Sequence, residues 1–313
     1  MIQKTYPFVI IVLLLTLYSC GSSRHNFSFF AIGDMPYNIP DDYEKFERLT
    51  ASINEEHPAF TVHVGDIKGG SSPCTDEVYE KMYSYFQEFQ DPFILTPGDN
   101  DWTDCHRKGA GGYDPLERLE RVRSIFFNDN KSMGQSHLDL LTQNTYEGYE
   151  KFAENAIWEW KDILFATFHV VGSNNNFNPD STADNSEFKE RNAADLFWME
   201  EAFDQARSRQ SKGIVLFLHA AMDYSDSEDS GFRNFTYKLR QEVLEYDKPI
   251  LLVYGDHHQF LVGKPLRDDD GRILTNFTSL MVFGNPDMHA VKITVNKKYD
   301  SLFEIRQFFL EDD

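Results

Sequence analysis

Five times along the chain an apolar run ends in a turn that carries an acid or an imidazole: FSFFAIGD (27–34), AFTVHVGD (59–66), PFILTPGDND (92–101), IVLFLHA (214–220) and PILLVYGDHH (249–258). Runs this rich in Val, Ile, Leu and Phe, bounded by Gly or Pro, read as strands buried on both faces. Between them the apolar positions shift to helical spacing. In DDYEKFERLTASINEEHP (41–58), Tyr43, Phe46, Leu49 and Ile53 fall three and four residues apart, and segments 76–90, 114–127, 187–209 and 235–246 repeat the style. Pro115 stands in the first turn of the third of these, where no intrahelical N–H bond is lost. Strand–helix–strand units of about thirty residues build a parallel or mixed sheet covered by helices. Near the end the pattern changes. SLMVFG (279–284), AVKITV (290–295) and LFEIRQFFL (302–310) follow one another without a helix and are expected as an antiparallel meander. The expected fold is a single α/β domain over residues 27–313, a four-layer sandwich of two mixed β-sheets flanked by helices.

In α/β sheets ligands gather outside the carboxyl ends of the strands, and all of these turns occupy that place. Together they present Asp34, Asp66, Asp99, His219, Asp256 and His258, with Asn100 and His257 adjacent. One strand-end Asp alone is an ordinary turn or cap residue. The repetition is what carries weight: six nitrogen and oxygen donors with no nearby thiolate suit two divalent ions of hard or borderline character. His63 and His169 lie inside apolar runs and are expected as packed residues, and Asn174, Asn175 and Asn176 close another strand.

The order and spacing of the turns resemble the motif series of the calcineurin-like metallophosphoesterases: D-x-H, G-D, G-N-H-[DE], a strand-end H, and G-H-x-H. Here the series reads Asp34-Met35-Pro36, Gly65-Asp66, Gly98-Asp99-Asn100-Asp101, His219 and Gly255-Asp256-His257-His258. The resemblance implies the metallo-dependent phosphatase fold and a metal-dependent phosphoric ester hydrolase whose nucleophile is a hydroxide bridging the two ions. Carried over residue by residue, it implies that Asp66 bridges both ions, that Asp34 and His258 serve the first, and that Asp99, His219 and Asp256 serve the second. Asn100 takes the place of the family's catalytic His and is expected to touch substrate. Two departures follow. Pro36 cannot ligate, which leaves Tyr37 as its substitute, and Asn100 cannot protonate a leaving group, which leaves water, Asp101 or His106 for proton transfer. Arg107, in the basic segment TDCHRKGAGGY (103–113), is suited to clamp phosphate. Asp99 and Asp256 put anionic oxygen where the family has amide and imidazole, so Mn²⁺, Mg²⁺ or iron is favoured over Zn²⁺, with Ca²⁺ also admitted. Pro36 and Asn100 motivate the alternative, a catalytically weak metal-binding lipoprotein serving as a binding or scaffold module. Monoester, nucleotide, diester and pyrophosphate substrates all remain open at this point.

The first residues, MIQKTYPFVIIVLLLTLYSC, hold Lys4, an apolar stretch from Phe8 to Leu17 and then Tyr18-Ser19-Cys20, the make-up of an export signal. Its end resembles a bacterial lipobox, which implies cleavage after residue 19, diacylation of Cys20 and a flexible tether through residue 26. The protein is then exported and anchored to a bacterial membrane through that lipid alone. Cys74 and Cys105 remain as an even pair in an exported chain, a disulfide candidate. A formal charge of −21 excludes a general nucleic-acid surface, since phosphate backbones are held by Lys and Arg. A monomer acting on a small phosphate ester is expected.

Overall fold

The computed structural model of the protein describes residues 26–296 and 301–311; the expected export signal and Cys20 lie outside them. The first apolar run forms β1 (Phe27–Ile32), followed by helix Tyr43–Glu55, β2 (Thr61–His63), helix Asp76–Phe86 and β3 (Phe93–Leu95). β1, β2 and β3 are parallel neighbours, and parallel neighbours need a long crossover, which each helix supplies. On the other flank of β1 lie β11 (Ala290–Val295) and β12 (Phe303–Phe308), both antiparallel to their neighbours, completing a five-stranded sheet in the order β12-β11-β1-β2-β3.

The second sheet is built from β4 (Leu141–Thr142), β5 (Ala156–Trp160), β6 (Ile163–Thr167), β7 (Gly213–Phe217), β8 (Ile250–Tyr254), β9 (Leu261–Gly263) and β10 (Phe277–Met281). Its order is β4-β5-β6-β7-β8-β10-β9, with β6, β7, β8 and β10 parallel. Helices Ser186–Ser208 and Arg233–Glu245 pack on its outer face. Strand periodicity explains why these runs are apolar at every position. In β1, Phe29 and Ala31 face the gap between the sheets, while Phe30 and Ile32 face the helices. Aromatic rings fill the gap, Phe29 on Phe60 at 5.1 Å, Phe60 on Phe165 at 4.9 Å and Trp158 on Phe165 at 5.4 Å between centroids. Edge-to-face and stacked pairs of this kind add to what burial alone contributes.

The C-terminal segments differ from the expected meander. β10 lies parallel to β8 in the seven-stranded sheet, and only afterwards does the chain cross to pair β11 with β1. Both strands are buried at four positions, among them Phe277, Leu280 and Met281 in β10 and Ala290, Val291, Ile293 and Val295 in β11, and such a local pattern does not name the sheet that takes it. Only β11 and β12 form the expected antiparallel pair.

Two covalent and ionic ties brace the loops that reach the strand ends. Cys74 and Cys105 are bridged, with Cα atoms 5.8 Å apart at a sequence separation of 31. Closing a loop of that length contributes about 3–4 kcal/mol in the chain-entropy picture. The buried carboxylate of Glu154 receives Arg123 from helix Pro115–Phe126, at 3.0 Å from Nε and 2.6 Å from Nη2, and lies 2.7 Å from His169 Nδ1. Burial alone would raise Glu154; Arg123 and His169 outweigh it and hold the carboxyl well below its usual range.

Candidate metal centre

The six strand-end residues converge where the carboxyl ends of β1–β3 meet those of β7 and β8. Asp34, Asp66, Asp256 and His258 all have left-handed backbones, with φ of 55°, 58°, 75° and 60°. Non-glycine residues adopt this conformation at a cost of roughly 1–3 kcal/mol each, and it persists only where the surroundings over-determine it. Here they do. Asp34 N–H donates to Gly65 O at 3.0 Å, and Asp256 N–H lies 3.0 and 3.1 Å from the two carboxylate oxygens of Asp34. The second and third loops touch through glycine: a Cβ on Gly98 would stand 2.1 Å from Asp66 Oδ1, so no other residue fits without moving the carboxylate.

Asp34, Asp66 and His219 offer ligand atoms within 4.8 Å of one another, and so do Asp99, His219 and Asp256. His219 is fully buried, with Nδ1 2.8 Å from Val64 O and Nε2 3.4 Å from Asp66 Oδ1 and 3.0 Å from Asp99 Oδ1. His258 repeats the arrangement, Nδ1 2.7 Å from Asn285 O and Nε2 3.5 Å from Asp34 Oδ1. A carbonyl on Nδ1 fixes the tautomer and leaves Nε2 as the free donor, the usual outer-shell support of a metal-ligating histidine. Tyr37 also enters the site. Its O–H donates to Asp66 Oδ2 at 2.6 Å and lies 3.4 Å from Asp34 Oδ1 and 3.2 Å from His258 Nε2. Asn100 donates its backbone N–H to Asp66 Oδ1 at 2.9 Å and its side-chain amide to Asp66 Oδ2 and, at 3.0 Å, to Tyr37 Oη.

The electrostatics show an excess of buried acid in this cluster. Burial raises Asp34 to about 7 against the pull of His219, and burial raises Asp66 well above the carboxylate range. Asp99 is held down to about 2, because hydrogen bonds from His219 and Ser173 outweigh its burial. His219 is pushed well above its usual value: burial opposes the charge, but Asp66 and Asp99 prevail. Lys68, fully buried two residues beyond Asp66, adds positive charge towards Asp101, Asp66 and Asp104, while burial lowers its own pKa. Buried charges are found paired or coordinating metal, and one imidazole and one ammonium do not balance this many acids. The donor set therefore fits divalent cations, with oxygen predominating.

Other expected site residues fall differently. Asp101 is buried, its Oδ2 accepting N–H from Asp66 at 3.0 Å and Gly98 at 2.7 Å and its Oδ1 accepting from Ile67 at 2.9 Å. With both oxygens committed to backbone donors it braces the ligand loops, which removes it as a candidate for proton transfer. His257 is exposed, while its neighbour His258 is the one whose Nε2 reaches Asp34 and Tyr37. His106 is exposed, with Nδ1 2.6 Å from Thr103 O, and Arg107 is half exposed, paired with Asp104 at 2.7 Å. Arg107 Nη1 and Asn100 Oδ1 both lie within 2.8 Å of the place a Gly70 Cβ would take, which puts the guanidinium beside the centre. His106, Arg107, Ser173 and Asn176 line an open cleft of about 500 Å³. His63 is packed as expected, Nε2 3.0 Å from Met35 O and Nδ1 accepting from Gly65 N–H. Lys68, Ser173 and the buried Arg191 went unread in the sequence; the Asn triplet marked the turn around Ser173 but not its hydroxyl.

In overall fold the chain is similar to a dimetal phosphatase from Danio rerio, at 10% identity over 91% of this chain and 99% of that one, with a TM-score of 0.52. It is also similar to a purple acid phosphatase from yellow lupin (Lupinus luteus) seeds, at 12% identity over 90% of this chain and 51% of that one, with a TM-score of 0.50. These likenesses show that the chain shares the fold of those two structures, the two-sheet sandwich flanked by helices that was expected from the sequence. No protein family and no curated protein matches the chain by sequence.

Proposed function

We propose that the protein is a metal-dependent phosphoric ester hydrolase working with two divalent ions. The observation that carries this reading is the convergence of the strand-end donors, five of them in two ligand groups that share His219 and the sixth, His258, 3.5 Å from Asp34 Oδ1, with both imidazoles turned inward by carbonyls on Nδ1. Asp66 would be shared by the two ions, Asp34, His258 and the phenolic oxygen of Tyr37 would complete the first site, and Asp99, His219 and Asp256 the second. Tyr37 thereby takes the role that Pro36 cannot. Two such ions supply Lewis acidity towards phosphoryl oxygen and a water made acidic enough to serve as nucleophile near neutral pH. Asn100 orients Asp66 and offers an amide to the substrate, and Arg107 presents guanidinium donors for a phosphoryl oxygen. Water or His106, which lines the open cleft, is left to exchange a proton with a leaving group.

The oxygen-rich donor set favours Mn²⁺, Mg²⁺ or iron over Zn²⁺. The test is turnover of an aryl phosphate and an aryl phosphodiester by metal-stripped protein reloaded with each ion. Hydrolysis with Mn²⁺ or Mg²⁺ exceeding that with Zn²⁺, and lost in His258→Ala, is expected. Metal that raises thermal stability without turnover of any ester would instead select the second reading, a binding or scaffold module, which Asn100 at the catalytic position favours. We also propose export and anchoring through a lipid on Cys20. In Cys20→Ala, incorporation of labelled fatty acid should vanish; undiminished labelling would remove the anchor.

A further inference from the structure

Four consecutive residues, Ser173, Asn174, Asn175 and Asn176, have left-handed backbones, with φ of 51°, 56°, 55° and 57°. Single residues visit this region, and Asn more readily than most, but a run of them is unusual. The run is held from several sides. Arg191, 1% exposed, donates from Nη1 to Asn175 Oδ1 at 2.5 Å and His169 O at 2.8 Å, and from Nη2 to Asn175 O at 2.9 Å. Asn174 accepts N–H from Gly231 at 2.8 Å and donates to Asp229 O at 3.0 Å, while Asn176 donates to Glu187 Oε2 at 2.7 Å.

What the turn achieves is contact with one side of the metal centre. Ser173 Oγ–H donates to Asp99 Oδ2 at 2.8 Å. Gly172 presses so closely that a Cβ there would lie 2.6 Å from Asp99 Oδ1 and 2.9 Å from Asp256 Oδ1. Asp99 Oδ1 already faces His219 Nε2 at 3.0 Å, so the hydroxyl on Oδ2 selects which oxygen points into the centre. An amide at this position would bring its own donor and acceptor and need no such selection; a carboxylate with two equivalent oxygens does.

We propose that Ser173 is a positioning residue for the second ion: its hydroxyl fixes the Asp99 carboxylate, and the Arg191-held turn fixes the hydroxyl. This rests on the assignment of Asp99 as a metal ligand. Loss of an outer-shell hydrogen bond of this kind weakens metal affinity about 10–100-fold.

The experiment titrates metal-stripped wild type, Ser173→Ala and Ser173→Asn with Mn²⁺, reading free ion by electron paramagnetic resonance. Ser173→Ala is expected to weaken one of the two binding steps about 10–100-fold and leave the other unchanged, with the melting temperature of the metal-free protein unmoved. Ser173→Asn, which tolerates the left-handed backbone and restores a donor, should recover much of the loss. Two unchanged steps in Ser173→Ala, or an equal loss at both, would overturn the proposal. Wild type that binds no Mn²⁺ would instead refute the metal reading itself, so the two failures are distinguishable.

Discussion

Asp66→Asn is expected to cut metal-dependent ester hydrolysis by about a thousandfold or more and to weaken both ions together. Asp66 is 3% exposed, lies in one ligand group and within 3.4 Å of the His219 nitrogen that joins both. Its Oδ1 and Oδ2 already accept hydrogen bonds from Asn100 and Tyr37. A neutral amide bridges two cations poorly, and its NH₂ group would face donors rather than acceptors. Metal polarisation is worth several kcal/mol of transition-state stabilisation, and each 1.4 kcal/mol is tenfold in rate. The check is kcat/KM for an aryl phosphate with saturating Mn²⁺, beside a near-ultraviolet circular dichroism spectrum that confirms native packing. A loss smaller than tenfold would place the shared ligand elsewhere.

The largest effect on stability is expected from Arg123→Met. Glu154 has a fully buried side chain and its charge rests on Arg123 and His169. Removing one partner of a buried pair costs about 3–5 kcal/mol, because an uncompensated charge stays behind. Urea denaturation at neutral pH should show that loss, and adding Glu154→Gln should return part of it. The pH dependence has a definite sign. Glu154 is held below its usual value, so its pairing stabilises the fold above the unfolded carboxyl pKa of about 4.3, and that contribution is lost as pH falls towards the folded value. Acidification should therefore narrow the gap between Arg123→Met and wild type. An equal gap at pH 7 and pH 4 would mean that lost packing of Arg123 against Phe152, not charge, is responsible.

The class of fold was legible because a buried strand between two covering layers must be apolar at every position, and five such runs end in the same kind of turn. That periodicity also placed Asp34, Asp66, Asp99, His219, Asp256 and His258 at one end of the sheets. What it could not supply was the choice of sheet for β10, whose apolar residues Phe277, Leu280 and Met281 could be buried in either. Nor could it separate Asp101 from its neighbours: an acid that ligates and an acid that binds three backbone N–H groups look the same in sequence. Lys68 followed Asp66 in plain view, but its burial depends on loops distant in the chain. Ser173 was hidden for the same reason, its partner Asp99 lying 74 positions away.

The claim that these loops build one two-ion site is tested most directly by counting. Metal-stripped protein equilibrated with Mn²⁺ and analysed for metal per chain should hold two ions, fewer in His258→Ala, and neither with native affinity in Asp66→Asn. Wild type that retains no ion, or Asp66→Asn that retains two as tightly as wild type, would contradict it.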